Sequence, residues 1–178
     1  MKQASAIHAF DDMARHQARV VFTVPDLKKL LGEAGQALQA TLGRLVGAKI
    51  LARAMRGVYV YQLDTAHRAD LIESVAIAAR RGHYNYISLE SALSAYGAIS
   101  QVPLDRLTVM TTGRSGEYKT QWGVIEFTHT KRSVSQILDE TTRRAGRLRM
   151  ATAKRAWGDL KRVGRNTHLV DMDEIDCE

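Results

Sequence analysis

The sequence predicts an α+β protein in two parts. Residues 1–63 read as three helices and a β-hairpin, and residues 64–178 as a second α+β unit. Three observations predict this. Apolar residues first recur at helical spacing and then give way to two β-prone runs split by a glycine. Beyond residue 64, helical stretches interleave with runs that alternate in a period of two. The chain is 178 residues long and 45% apolar, which suffices for one full domain or two small ones at ~150 residues per domain.

The elements follow in order. Ile7, Phe10, Met13, Ala14 and Gln17 keep helical spacing, with the apolar members on one face. Val20–Thr23 is short and β-prone. Pro25 opens a second helix, where its missing N–H costs nothing. Leu27, Leu30 and Leu31 form the inner side of that helix, Lys28 and Lys29 its outer side, and Gly32 its stop. A third helix is expected over Ala34–Val46, with Leu38, Leu42, Leu45 and Val46 inward. Lys49–Ala54 and Gly57–Gln62 form a hairpin around Met55-Arg56-Gly57, where glycine supplies the positive φ of a tight turn. On the strand after that turn, Val58/Val60 and Tyr59/Tyr61 occupy opposite faces, and one pair is expected in the core.

In the second unit, His67–Arg81 reads as a helix with Leu71, Ile72, Val75 and Ala78 or Ala79 inward and Gly82 as its end. Tyr84–Ile87 is β-prone. Ser88 is expected to cap a helix running to Tyr96. Leu107–Thr112 and Val124–Thr130 alternate as strands and flank a turn at Gly113–Gly116. Thr152 opens a last helix that ends near Val163.

Lys and Arg total 26 against 19 Asp and Glu, a net charge of +7. Such an excess is an electrostatic footprint common among nucleic-acid binders. It is uneven. Residues 1–63 hold nine basic and four acidic side chains, and Lys131–Val170 hold eleven and three. The last eight residues carry Asp171, Asp173, Glu174, Asp176 and Glu178, either a solvated tail or an arm folded over a basic groove. One cysteine, Cys177, allows no internal disulfide and no metal cage. Asp11 and Asp12 interrupt any signal-peptide pattern, and no apolar run approaches the ~18 residues of a membrane span. A soluble cytoplasmic protein without membrane contact is expected.

Three helices followed by a β-hairpin is the winged helix-turn-helix order. Within that frame the third helix enters the major groove. Its outward residues are Gln36, Gln39, Ala40, Gly43 and Arg44. Glutamine pairs bidentately with adenine and arginine with guanine, and small Ala40 and Gly43 permit close approach. Arg53 and Arg56 at the hairpin reach the adjacent groove or phosphates, and Lys28 and Lys29 suit the backbone. A second basic face gathers Arg143, Arg144, Arg147, Arg149, Lys154, Arg155, Lys161, Arg162 and Arg165, either a solvated surface or added phosphate contact.

No catalytic constellation is legible. His8, His16, His67, His83, His129 and His168 are scattered and form no metal-binding pair. No GxSxG elbow exists, and Gly113-Arg114-Ser115-Gly116 lacks the lysine of a phosphate-binding loop. Glu126 stands in a strand like a nuclease carboxylate, but position 128 is Thr128 where a lysine is wanted. Asp159 suits a structural role beside an arginine better than general acid work. No catalytic residue, metal or cofactor is expected.

Three segments resemble one family. Leu42–Tyr61 (LGRLVGAKILARAMRGVYVY), Tyr86–Pro103 (YISLESALSAYGAISQVP) and Ala151–Arg165 (ATAKRAWGDLKRVGR) are similar in order to the AbiEi-type antitoxins. The strands LTVMTTGRSG and VIEFTHT stand between the last two. In the last segment Thr152-Ala153 replaces the family's usual Ser-Pro and Trp157 its Leu, while Asp159 matches its Asp. The resemblance covers about residues 5–165. It implies a winged helix that binds inverted repeats in its own promoter and represses it. It also implies a C-terminal antitoxin domain that counters a nucleotidyltransferase-like toxin without a stable complex, in phage defence by abortive infection. Two rivals stay open at this stage: a stand-alone winged-helix regulator whose second domain senses a ligand or dimerises, and a nuclease recruited to DNA.

Overall fold

The computed structural model describes residues 3–64, 70–100, 105–145 and 147–175. His67, Val102, Pro103, Asp176, Cys177 and Glu178, which the sequence reading touches, lie outside these. The chain is α+β, with seven α-helices and two sheets among the described residues, and it divides into two units, Met1–Ala79 and Arg80–Glu178.

The first unit runs α1 (Gln3–Gln17), β1 (Val21–Thr23), α2 (Val24–Leu31), α3 (Gly35–Gly47), β2 (Leu51–Met55), β3 (Val58–Tyr61) and α4 (Leu71–Ala79). Ala6, Phe10 and Ala14 form the buried stripe of α1, while Ile7 and Met13 stay half-exposed. Thr23 stands at the N-cap of α2, and the Asp26 carboxylate reaches back to accept from its N–H at 2.8 Å and its hydroxyl at 2.6 Å. This satisfies an otherwise orphaned donor at the helix start. Arg19 closes on the same carboxylate at 2.5 Å. Pro25 occupies the first turn, and Gly32 ends the helix at φ +65°. Only residues 32–34 separate α2 from α3. Leu38, Thr41, Leu42 and Leu45 are the inner side of α3, and Val46, expected inward, is 36% exposed.

β3 lies between β1 and β2, antiparallel to both, with Val60 opposite Val21 and Ala52. All four residues of β3 are buried, not one alternate pair. The reason lies in what covers each face. Phe10 of α1 packs its ring against Phe22 and Tyr61, and the Tyr61 hydroxyl donates to Asp11 at 2.6 Å. α4 packs on β1 and β3. The helix first assigned to the second unit thus completes the sandwich around the N-terminal sheet. Two covered faces turn an alternating strand into a continuously buried one.

The second unit runs β4 (Asn85–Ile87), α5 (Leu89–Ala95), β5 (Arg106–Thr111), β6 (Gly116–Thr120), β7 (Gly123–His129), α6 (Val134–Asp139), β8 (Thr141–Thr142), β9 (Arg149–Ala151) and α7 (Ala153–Val163), followed by a 3₁₀ turn at Thr167–Leu169. The strands form one mixed sheet in the order β6-β7-β5-β4-β9-β8. β5 pairs with β7 in parallel and β4 with β9 in parallel; the other pairs are antiparallel. α5 packs against α7 and β5. Tyr86, Leu89, Leu93, Val109, Met110, Ile125 and Leu160 are its buried apolar centre. Beyond α7, Val170 bridges to Ile99, the Asp171 N–H donates to the Ala98 carbonyl at 2.8 Å, and Ile175 is buried. Asp171, Asp173 and Glu174 are exposed on this docked segment. No helix among the described residues is long and apolar enough to cross a membrane.

Candidate nucleic-acid interface

α3 presents one exposed side. Gln36, Gln39, Ala40, Gly43 and Arg44 are all exposed, on the helix whose other side buries Leu38, Leu42 and Leu45. Gly43 is informative. A Cβ built there meets nothing within 4 Å, so no neighbour within the chain requires glycine. Glycine in a helix interior costs roughly 0.5–1 kcal/mol relative to alanine, and that cost has no internal return here. The Arg44 guanidinium is held back along its own helix, donating through Nη2 to the Thr41 hydroxyl at 2.8 Å. Thr41 itself is buried, so this anchor fixes where the cation starts from.

The hairpin contributes Arg53 and Arg56, both exposed. Its register shifts between Arg53 and Met55, a bulge that bends the strand next to the tip. Gly57 at the tip takes φ +80°, and its carbonyl accepts from the Val24 N–H at 3.1 Å. The hairpin tip is thereby tied to the opening of α2. Lys28 and Lys29 are exposed in the last turn of α2. Cations from α2, α3 and the hairpin all belong to this one unit.

The second basic group separates into two kinds. Arg143, Arg147, Lys154, Lys161 and Arg162 are exposed and Arg144 is half-exposed. Lys161 lies 5.1 Å from the centre of the Trp157 ring. Arg149 and Arg155 are instead built into the fold. Arg149 donates to the hydroxyl and carbonyl of Thr141, each at 2.6 Å, and to the Leu138 carbonyl at 3.1 Å. Arg155 pairs with Glu140 at 3.4 Å and with Asp159 at 3.5 Å.

Asp159 is fully buried. Its Oδ2 accepts from Ser88 at 2.9 Å and Tyr86 at 3.1 Å, and Arg132 approaches Oδ1 at 3.6 Å, the same oxygen that Arg155 reaches. Ser88 stands at the start of α5, but its hydroxyl goes to this carboxylate and makes no cap bond. Burial, then the charge and hydrogen bond of Asp159, push the Tyr86 hydroxyl well above its ordinary pKa, so it stays protonated and donates to the carboxylate. Gly158 explains how Arg155 arrives. A Cβ at 158 would lie 2.3 Å from an Arg155 guanidinium nitrogen, so the side chain crosses bare backbone.

A second network holds Glu126. Arg165 grips Glu90 with two nitrogens at 2.7 and 3.0 Å and reaches Glu126 at 2.7 Å. Arg106 bridges Glu126 at 2.9 Å and Glu117 at 2.7 Å. Asn166 adds a donor to Glu90 at 2.9 Å. Both oxygens of Glu126 therefore face arginines. Among the described residues, no group of three or more His, Cys, Asp or Glu side chains stands ready for a metal. The sequence reading missed Thr41, Asp26, Arg132 and Arg106. Of these contacts, only Asp26 at the third helical position after Thr23 carried a recognisable local signal.

Comparison with models of known protein families and with curated proteins finds no match for this chain.

Proposed function

We propose that residues 1–79 form a winged helix-turn-helix that binds double-stranded DNA, and that the chain is a type IV antitoxin repressing its own promoter at inverted repeats. The observation that carries the DNA reading is the exposed side of α3 set in the order α1-β1-α2-α3-β2-β3, with β1 laid against β3 and the hairpin tip tied to α2. A three-residue turn between α2 and α3 suits a helix-turn-helix. Gln36, Gln39 and Arg44 supply base-reading chemistry, Ala40 and Gly43 permit the approach, and Arg53, Arg56, Lys28 and Lys29 supply phosphate contacts.

The antitoxin reading rests on the resemblance of the two later segments to AbiEi-type proteins. Its support is that the residues of those segments meet one another: Tyr86 and Ser88 bond Asp159, and Glu90 grips Arg165. The resemblance therefore falls on a connected core instead of on scattered positions. In this reading the second unit counters a nucleotidyltransferase-like toxin without a stable complex and does no chemistry of its own. Arg143, Arg147, Lys154, Lys161 and Arg162 are the exposed members of the second basic group and suit added phosphate contact.

Two experiments test the parts separately. Arg44→Ala should weaken binding to the cognate upstream site by about 1–3 kcal/mol while sparing random duplex, and Arg56→Ala should weaken both alike. Equal loss on all duplexes for both variants would remove the base-reading assignment. For the antitoxin reading, co-expression with the toxin of the adjacent gene should restore growth; growth arrest despite soluble protein would refute it.

A further inference from the structure

We infer that β6 is a docking edge for a second copy of this chain, the two β6 strands pairing antiparallel about a two-fold axis at Tyr118. β6 is the terminal strand of the six-stranded sheet, and no strand lies beyond it among the described residues. The opposite terminal strand, β8, has two residues, too short to template a partner, whereas β6 has five.

The backbone fixes which groups face outward. Residues 121 and 122 join β6 to β7, and Thr120 stands opposite Gly123. A two-residue hairpin loop closes on a doubly hydrogen-bonded pair, and such pairs alternate along an antiparallel ladder. Tyr118 opposite Ile125 and Gly116 opposite Phe127 are then the other bonded pairs. The N–H and C=O of Glu117 and Lys119 turn to the open edge, and both side chains are exposed.

These two residues specify their own partner. In an antiparallel pair centred on Tyr118, Glu117 of one copy stands opposite Lys119 of the other, twice by symmetry. Both are the positions whose backbone groups are outward, so each pair exchanges two backbone hydrogen bonds as well as opposite charges. The two Tyr118 residues meet at the centre as a close, non-hydrogen-bonded pair, a position where aromatic pairs stabilise a sheet. Tyr118 is already braced by Phe127, with centroids 5.9 Å apart, and by Arg80, which donates to its hydroxyl at 3.0 Å. A register centred on Glu117 sets glutamate against glutamate, and one centred on Lys119 sets lysine against lysine. The same charges that close the edge to slipped pairings therefore select the one register.

The test needs no DNA, so its failure leaves the DNA-binding proposal standing. Sedimentation equilibrium of the full chain should show the mass rising from one chain toward two at concentrations up to about 1 mM, the weak end of specific association. Glu117→Lys and Lys119→Glu should each remain monomeric, and their equimolar mixture should dimerise, because it pairs Lys with Glu at both sites. Arg106 keeps Glu126 in the first variant. Lys119→Pro removes an outward N–H and no bond to β7, a substitution that edge strands tolerate; it should fold with an unchanged circular dichroism spectrum and stay monomeric. A single-chain mass throughout for the unmodified protein, single variants that associate as the parent does, a mixture that stays monomeric, or a folded proline variant that dimerises undiminished would each overturn the proposal.

Discussion

Two residues carry opposed demands that a single substitution separates. Gly43 weakens its helix and has open space at its Cβ position, so Gly43→Ala should raise stability by about 0.5–1 kcal/mol, read as a higher thermal midpoint. The added methyl stands on the exposed side of α3, and the same variant should bind cognate DNA less tightly. A more stable protein with unchanged DNA affinity would place the groove contact elsewhere. Glu90 carries the second case. Its carboxyl is buried, which alone raises its pKa, yet the bonds from Arg165, its own backbone and Asn166 hold it below the ordinary 4.5. A carboxyl lowered by folding contributes stability that is fully present above about pH 4.5 and lost as pH falls through the lowered folded value. Thermal midpoints between pH 6 and 3 should fall in that window, and Glu90→Gln should flatten the fall. Arg165→Ala leaves Glu90 buried with its charge unpaired, holding only the bonds from Asn166 and its own backbone. It should cost about 2–3 kcal/mol in urea unfolding, less than the ~3–5 of a fully buried pair because Arg165 is one-third exposed.

At the level of elements, local rules served where a segment's own residues decide its state. Pro25 and Gly32 bound α2, Thr152 caps α7 by accepting from the Arg155 N–H at 3.2 Å, and Gly57 turns the hairpin. They failed where a distant segment decides. Nothing in Val58–Tyr61 announces that α4 covers its second face, so one pair of residues looked solvent-facing. Ser88 has the composition of a cap, but Asp159, seventy-one residues away, takes its hydroxyl. β6 escaped because Gly-Glu-Tyr-Lys-Thr has no apolar alternation; it is an edge strand held by β7 and by the Tyr118–Phe127 contact. On the candidate site, the outward face of α3 followed from helical spacing, since Leu38, Leu42 and Leu45 fix what points inward. The division of the second basic group into exposed and structural arginines required the positions of Glu140, Asp159 and Thr141. The C-terminal segment shows the same dependence. Its acidic composition suggests a solvated tail, but Ile175 is buried and Asp171 is bonded to Ala98. Truncation after Val170 should therefore lower stability by roughly 1.5–3 kcal/mol, the worth of one buried isoleucine side chain, measured as a shift of the urea midpoint.

For the whole molecule, the net charge of +7 is a poor guide until its members are sorted. Arg106, Arg132, Arg155 and Arg165 are spent on Glu90, Glu117, Glu126, Glu140 and Asp159 inside the second unit. The exposed cations of the first unit, Lys28, Lys29, Arg44, Arg53 and Arg56, stand on α2, α3 and the hairpin, on or next to the helix whose outward side is proposed to read DNA. The proposed function requires this unit to read DNA through α3 while its basic groups hold the phosphates. The most direct measurement is fluorescence anisotropy of the full chain on the duplex upstream of its own gene and on a scrambled duplex of equal length, across a salt series. Each phosphate neutralised contributes about −0.9 to the slope of log K against log salt. Binding to the upstream duplex should be tighter at every salt concentration, with a steep negative slope on both duplexes and loss of the preference alone in Arg44→Ala. Equal affinity for the two duplexes, or a slope near zero, would contradict the proposed function.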